Sequence, residues 1–189
     1  MQMSVFLTAF IAFAISAVIC PFYISLQRRR QFGQQIRVDG PSRHLKKAGT
    51  PTAGGGGFLA AAVAALLVRG NFSPHLWIAV FLALGSALIG WLDDYAKMAH
   101  GRSLGLKARN KIAGQVLLTA IFTGLLYLSG NYSPAVELPF TGAVLDLGWF
   151  YPFFIFLIIL STTNAVNLTD GIDGLATGTA IISLLAFLY

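Results

Sequence analysis

Charged residues are scarce in this sequence, and stretches without them are long. Asp, Glu, Lys and Arg make up 11% of the 189 residues, whereas hydrophobic residues make up 56%. A soluble domain typically has about a quarter of its residues charged, so this composition excludes an ordinary soluble protein. It predicts an all-α integral membrane protein, and we treat residues 1–189 as a single polytopic membrane domain.

Cysteine is nearly absent, and acidic residues are few. Cys20 is the single cysteine and lies in the first apolar run, so a disulfide framework within the chain is excluded. The net charge is +6. In a soluble protein this excess would suggest nucleic acid, but basic residues beside apolar runs first of all set membrane orientation. We therefore expect no nucleic-acid partner.

Six apolar runs are candidate membrane spans, since a helical crossing takes about 20 mostly apolar residues. They lie near residues 5–26, 54–68, 76–92, 112–129, 147–166 and 175–189. Between the fourth and fifth runs, residues 136–147 alternate apolar and polar side chains around a Pro-Phe-Thr-Gly sequence. This alternation predicts a small surface β-hairpin.

The basic residues are concentrated in two loops. Seven of the thirteen Lys and Arg residues lie in residues 27–53 and five lie in residues 93–111, while Arg69 is the only one elsewhere. Because basic loops stay on the cytoplasmic side, both loops are predicted to be cytoplasmic and the N-terminus to be outside. Counting spans then places Asp170 and Asp173 on the cytoplasmic side and the hairpin on the periplasmic side.

Thr50 and Pro51 predict the start of the second span, as an N-cap followed by proline in the first turn. Four glycines follow at residues 54–57. No Gly-Lys-Ser/Thr sequence comes after them, so they are not a Walker-type phosphate loop, and close helix packing is the favoured interpretation.

Residues 161–178 form a polar, glycine-punctuated segment between the last two apolar runs. The segment offers more polar groups than one turn or helix cap requires, namely Asn164, Asn167, Thr169, Asp170 and Asp173. Ionisable groups beside apolar runs are costly unless they have a function, so a binding site is favoured here. The alternative is a tight loop in which Asp173 caps the next helix.

Two adjacent acids, Asp93 and Asp94, follow the third apolar run. Neighbouring residues on a helix point about 100° apart, so the two carboxylates are not expected to share one ligand unless the helix ends there. Near phosphate groups, such acids bind Mg²⁺ or act as a base.

The predicted cytoplasmic surface around these acids is suited to anions. Spans two, four and six all begin on that side, where the free N–H groups of helix N-termini attract phosphate. Basic residues add positive charge there: Lys46, Lys47, Lys97, Arg109 and Lys111. Anionic lipid headgroups are the alternative partners for these bases.

Three strings of the sequence resemble the phospho-N-acetylmuramoyl-pentapeptide transferases. They are FGQQIRVDGPSRHLKKAGTPTAGG at residues 32–55, GWLDDYAK at residues 90–97 with GLKARNK downstream, and NAVNLTDGIDGLATG at residues 164–178. The resemblance implies a multi-pass enzyme of bacterial peptidoglycan synthesis in the inner membrane, with its active site on the cytoplasmic face. Such an enzyme is a Mg²⁺-dependent phosphoglycosyl transferase. It moves phospho-MurNAc-pentapeptide from UDP-MurNAc-pentapeptide to undecaprenyl phosphate, giving lipid I and UMP.

The resemblance also implies roles for individual residues. Asp93 matches the acid that is proposed to deprotonate the lipid phosphate in this family. Asp94 matches the acid next to it in the family's active site. Other positions match the nucleoside pocket (Asn167, Asp170 and Asp173) and its rim (Lys47, Thr52 and Lys97). Family members are longer, so the chain is expected to be the N-terminal part of a longer fold, with the main metal ligand beyond residue 189. Membrane lipid is an implied partner, and homodimerisation is left open.

Three other functions compete with this one. The related polyprenyl-phosphate N-acetylhexosamine-1-phosphate transferases differ in the loop that corresponds to residues 32–55. A CDP-alcohol phosphotransferase would share the acidic sequence from Asp170 to Gly174, but Thr177 stands where that family has arginine. A small transporter would hold its acids near the membrane midplane, whereas the predicted cytoplasmic acids lie at span ends or in loops.

Overall fold

The structure is a computed structural model, and it describes residues 2–29, 54–70, 73–100, 105–130, 132–170 and 174–188. These residues form six α-helices: α1 (Gln2–Arg29), α2 (Gly55–Arg69), α3 (Pro74–Ala99), α4 (Ala108–Leu128), α5 (Tyr151–Thr169) and α6 (Leu175–Leu188). Between α4 and α5 lie two short strands and a 3₁₀ turn: β1 (Ala135–Glu137), β2 (Val144–Asp146) and Gly148–Phe150.

Four helical segments in this described part of the chain are long and apolar enough to cross a membrane. They contain 21 to 26 residues each: Val5–Arg29, Pro74–Ala99, Ala108–Leu128 and Gly148–Thr169. By contrast, α2 has 15 residues and α6 has 14. At about 1.5 Å per residue, both are shorter than an apolar layer about 30 Å thick. The protein is therefore a mostly helical membrane protein, and crossing by α2 and α6 stays a prediction.

The outward side chains of these helices are strongly apolar. Phe13 is 72% exposed, Leu128 is 81% exposed and Ile182 is 71% exposed. Contiguous apolar surface of this kind is rare on soluble monomers, whereas lipid solvates it well. The surface therefore agrees with the membrane assignment made from composition.

The helix of the third span ends later than the apolar run predicted. The run near residues 76–92 is followed by two acids, yet α3 continues to Ala99. Asp93 and Asp94 therefore lie inside the helix, one turn before Lys97. The end of an apolar run marks the loss of apolar side chains, and it does not require the backbone hydrogen bonds of the helix to stop.

A β-hairpin lies between α4 and α5, at the place where the alternation of side chains predicted one. Its strands pair antiparallel, with Val136 opposite Leu145. Phe140 and Gly142 adopt positive φ angles of 68° and 65° in the connecting turn. The side of the membrane on which this hairpin lies remains a prediction.

Two of the four glycines at residues 54–57 allow α2 to approach α1. A Cβ atom on Gly57 would lie 3.3 Å from Sγ of Cys20, and one on Gly56 would lie 3.0 Å from the hydroxyl oxygen of Tyr23. The helix-packing interpretation therefore applies to these two positions. Thr50 and Pro51 lie outside the described residues, so the predicted helix start is not observed.

The central helices α3, α4 and α5 pack side by side and carry the site. Gly85 of α3 leaves room for Leu118 of α4, which is 7% exposed. Between α4 and α5, the side-chain amide of Gln115 donates a hydrogen bond of 2.8 Å to the hydroxyl of Thr163. These contacts fix the relative positions of the inward faces of the three helices.

Candidate active site

The acid pair on α3 is held by a single lysine. Lys97 lies four residues after Asp93 and three after Asp94, the two spacings at which side chains meet on a helix. Its Nζ lies 2.7 Å from Oδ2 of Asp93 and 2.9 Å from Oδ1 of Asp94. The long lysine side chain thus bridges two carboxylates that diverge on the helix, and the expectation that they do not share one bound ligand stays a prediction.

The backbone after α3 returns to cover Asp93. The N–H of Leu106 donates a hydrogen bond of 2.9 Å to Oδ1 of Asp93. Asp93 is 9% exposed. Both of its carboxylate oxygens are therefore engaged, one by a backbone N–H and the other by the ammonium group of Lys97.

Gln115 is the most deeply buried polar side chain next to this acid. It is 2% exposed, and it lies one helical turn after Lys111 on α4. Its amide nitrogen donates to Thr163, but its carbonyl oxygen, Oε1, has no hydrogen-bond partner among the described residues. An unpaired buried carbonyl costs about 1–3 kcal/mol, so such a group is normally paired with water or a ligand.

A cavity of about 70 Å³ connects these groups. Its lining comes from all three central helices: Ser86, Ile89, Gly90, Asp93, Lys111, Gln115, Thr163 and Asn167. A water needs about 10–15 Å³ of such space, so the cavity holds a few waters or one small group, and a nucleotide is far too large for it. Asp93 and Asn167, predicted from two motifs far apart in the sequence, therefore line one cavity.

Other predicted site residues lie around this cavity or outside the described residues. Asp94 is half-buried and in contact with Lys97. Asp170 is exposed at the end of α5, where its N–H donates to the carbonyl oxygen of Val166 at 3.1 Å. The remaining three, Lys47, Thr52 and Asp173, lie outside the described residues.

Two polar residues of the segment 161–178 bond back to their own helix. The side-chain amide of Asn164 donates to the carbonyl oxygen of Leu160 at 2.7 Å. The hydroxyl of Thr169 donates to the carbonyl oxygen of Ala165, also at 2.7 Å. These contacts use a donor of each side chain locally, so part of the polar density of this segment is explained without a ligand.

Sequence reasoning missed four residues that build the surroundings of Asp93: Gly105, Leu106, Gln115 and Thr163. A signal existed for Gln115, because a polar side chain within an apolar span usually faces the interior of the helix bundle. No comparable signal existed for Gly105 and Leu106, whose role depends on a backbone contact across the loop between α3 and α4.

The described residues contain no group of three or more His, Cys, Asp or Glu side chains able to hold a metal. Asp93 and Asp94 nevertheless offer hard carboxylate oxygens, the donor type that Mg²⁺ prefers. Mg²⁺ keeps several waters and takes few protein carboxylates. Asp94, the more exposed of the two, therefore fits one side of a Mg²⁺ site, whereas both oxygens of Asp93 are already engaged.

Comparison with known proteins places this arrangement in a family. Residues 76–189 match the model of glycosyl transferase family 4. Three relatives are each named phospho-N-acetylmuramoyl-pentapeptide-transferase. The protein from Bacillus velezensis is 38% identical over 191 residues, covering 99% of this chain and 59% of the relative. The protein from Pelotomaculum thermopropionicum is 46% identical over 186 residues, covering 93% of this chain and 56% of the relative.

The third relative, from Desulforudis audaxviator, is 44% identical over 197 residues, covering 97% of this chain and 59% of the relative. The chain thus spans 56–59% of the length of these three proteins. The part matched by the family model includes α3, α4, α5 and the cavity between them.

Proposed function

The chain belongs to glycosyl transferase family 4, and we propose from this membership that it transfers phospho-MurNAc-pentapeptide from UDP-MurNAc-pentapeptide to undecaprenyl phosphate. The products are lipid I and UMP, in peptidoglycan synthesis. The observation that carries the proposal is the cavity that Asp93 and Asn167 both line. One residue belongs to the acidic motif on α3 and the other to the polar motif on α5, and each motif resembles its counterpart in the pentapeptide transferases.

Asp93 acts as the base in this proposal. It takes the proton from the phosphate of undecaprenyl phosphate, and the freed oxygen attacks the sugar-linked phosphorus of the donor, so that UMP leaves. Lys97, whose Nζ lies 2.7 Å from Oδ2 of Asp93, would turn from the carboxylate to the incoming phosphate. The positive charge then moves to where negative charge accumulates.

Nucleotide binding is assigned to the end of α5 and the residues near it. Asn167 faces the cavity, and Asp170 is exposed one turn further along the chain. Asp173, Lys47 and Thr52 complete the proposed pocket by resemblance. Amide and carboxylate acceptors suit the N–H and hydroxyl groups of a uridine nucleoside.

Mg²⁺ is the proposed cofactor. Asp94 is the described acid that would contribute to holding it, because Asp93 is assigned as the base. When bound, Mg²⁺ would neutralise the charge of the donor diphosphate.

The site is proposed to face the cytoplasm from the bacterial inner membrane. This placement requires α2 to cross together with the four longer segments. If α2 did not cross, the basic residues 27–53 and 93–111 would fall on opposite sides, against the tendency of basic loops to share the cytoplasmic side. Charge placement therefore supports a crossing by α2 despite its shortness, and the crossing by α6 rests on its apolar sequence alone.

Cysteine labelling tests this topology. In a Cys20→Ala background, we expect cysteines at Ser42 and Ser103 to react only with reagents that enter the cytoplasm. A cysteine at Ser133, just before β1, should react with an impermeant reagent from outside. Labelling of the Ser103 position from outside would contradict a cytoplasmic active site.

Donor choice tests the proposed substrate. We expect the protein, at its full natural length in detergent with Mg²⁺ and undecaprenyl phosphate, to release UMP from UDP-MurNAc-pentapeptide. UDP-N-acetylglucosamine should give little UMP above background. Preference for the second donor would instead support a polyprenyl-phosphate N-acetylhexosamine-1-phosphate transferase, the remaining alternative within this chemistry.

A further inference from the structure

Gly105 lies in close contact with the carboxylate of Asp93. An added Cβ atom would lie 2.6 Å from Cγ of Asp93 and 2.7 Å from its backbone oxygen, and it would also overlap Oδ1. In real structures, Cβ atoms essentially never come within 3.0 Å of heavy atoms to which they are not covalently linked. The obstruction includes backbone, so a rotamer change of Asp93 alone does not relieve it. Only glycine fits here without a shift of the loop or of α3.

This close approach allows a backbone hydrogen bond to the carboxylate of Asp93. With no side chain at Gly105, the next N–H, that of Leu106, reaches Oδ1 of Asp93 at 2.9 Å. On the other side, Lys97 holds Oδ2 at 2.7 Å. The carboxylate is thus held by one donor on its own helix and by a second donor thirteen residues further along the chain.

We propose that Gly105 and the N–H of Leu106 are positioning elements for the transfer reaction. They act through Asp93, holding its carboxylate at the edge of the cavity that also contains Lys111, Gln115 and Asn167. The inference rests on the proposed role of Asp93 as the base. A base must lie within hydrogen-bond reach of the proton it takes, and a displacement of about 1 Å can lower a rate about 10²-fold.

Kinetics of Gly105→Ala test the proposal in the protein at its full natural length. We expect kcat for UMP release to fall about 10²-fold, while KM for UDP-MurNAc-pentapeptide stays within about threefold, because the base acts on the lipid phosphate. Gly114→Ala is the matched control. A Cβ there would lie 3.5 Å from Ile89, an ordinary contact, and its kinetics should equal those of the wild type.

A second variant removes the donor without adding any atom to the loop. Replacing Leu106 with its α-hydroxy acid changes the backbone N–H to oxygen and keeps the side chain. Loss of a hydrogen bond to a charged group should lower kcat about tenfold or more. This variant decides the question if Gly105→Ala does not fold. Unchanged kcat in the ester variant would overturn the role of the Leu106 N–H.

Chemical labelling gives a readout that does not depend on turnover. Asp93 is 9% exposed and its oxygens are engaged, so a carbodiimide with an amine nucleophile should modify it slowly in the wild type. In Gly105→Ala, modification of Asp93 should be several times faster, with the half-buried Asp94 as reference in the same peptide. Equal modification rates in wild type and variant would overturn the positioning role.

The two readouts separate the two proposals. If the wild type releases no UMP from the proposed donor, the proposed function is wrong, and the labelling comparison still decides whether Gly105 holds Asp93 in place. If the wild type is active but Gly105→Ala matches it in kcat and in labelling, the function stands and the positioning proposal is wrong.

Discussion

Replacing Asp93 with asparagine is expected to lower the rate of transfer by about 10²–10⁴-fold, the usual contribution of a positioned base. Asparagine is nearly isosteric and can still accept the hydrogen bond from the Leu106 N–H, so the loop after α3 should keep its place. Binding of UDP-MurNAc-pentapeptide should change by less than about threefold, because the base acts on the lipid phosphate. UMP release and equilibrium binding measure the two effects.

Glu137→Gln serves as the control for this substitution. Glu137 is an exposed acid on β1, far along the chain from the site, and the same loss of charge there should leave transfer unchanged. If Asp93→Asn turned over at nearly the wild-type rate, or if it chiefly weakened nucleotide binding, the assignment of Asp93 as the base would be wrong.

Replacing Lys97 with methionine is expected to lower transfer by about 10²-fold or more, as loss of a preorganised positive donor usually does. Methionine keeps most of the side-chain length and removes the ammonium group that contacts both carboxylates. Asp93 and Asp94 would then repel each other without a counterion, so the melting temperature in detergent should also fall. Lys107→Met is the matched control, since Lys107 is exposed and makes no side-chain cap contact with α4.

A double variant separates the two effects of Lys97. Adding Asp94→Asn to Lys97→Met removes the repulsion between the acids, so the melting temperature should recover in part. Transfer should stay low, because the positive charge beside the incoming phosphate is still missing and Asp94 has lost the charge proposed to help hold Mg²⁺. Recovery of activity together with stability would show that Lys97 has only a structural role.

The helices were largely predictable from the sequence, but their ends were not. Long apolar runs predicted six helices, and the alternation around Pro139 predicted the hairpin. The end of α3 was missed because Asp93 and Lys97 continue a helical pattern after the apolar side chains stop. Pairing at a spacing of four residues supports a helix as well as apolar periodicity does, and this signal was present in the sequence.

The site was predictable only where its residues carry a motif. Asp93, Asp94 and Asn167 were identified from the acidic and polar strings, and the cavity brings Asp93 and Asn167 together. The bond from Gln115 to Thr163 joins residues 48 positions apart, and the bond from Leu106 to Asp93 joins residues 13 positions apart. Such partners depend on how the helices dock, which no local pattern encodes.

Formation of the lipid product tests the proposed function most directly. The protein, at its full natural length, would be incubated with Mg²⁺, undecaprenyl phosphate and UDP-MurNAc-pentapeptide labelled in the peptide, and UMP and labelled lipid would be quantified together. We predict equal amounts of the two products, with neither formed when undecaprenyl phosphate is omitted. UMP release that continues without the lipid acceptor, or nucleotide turnover with no labelled lipid, would contradict the transfer.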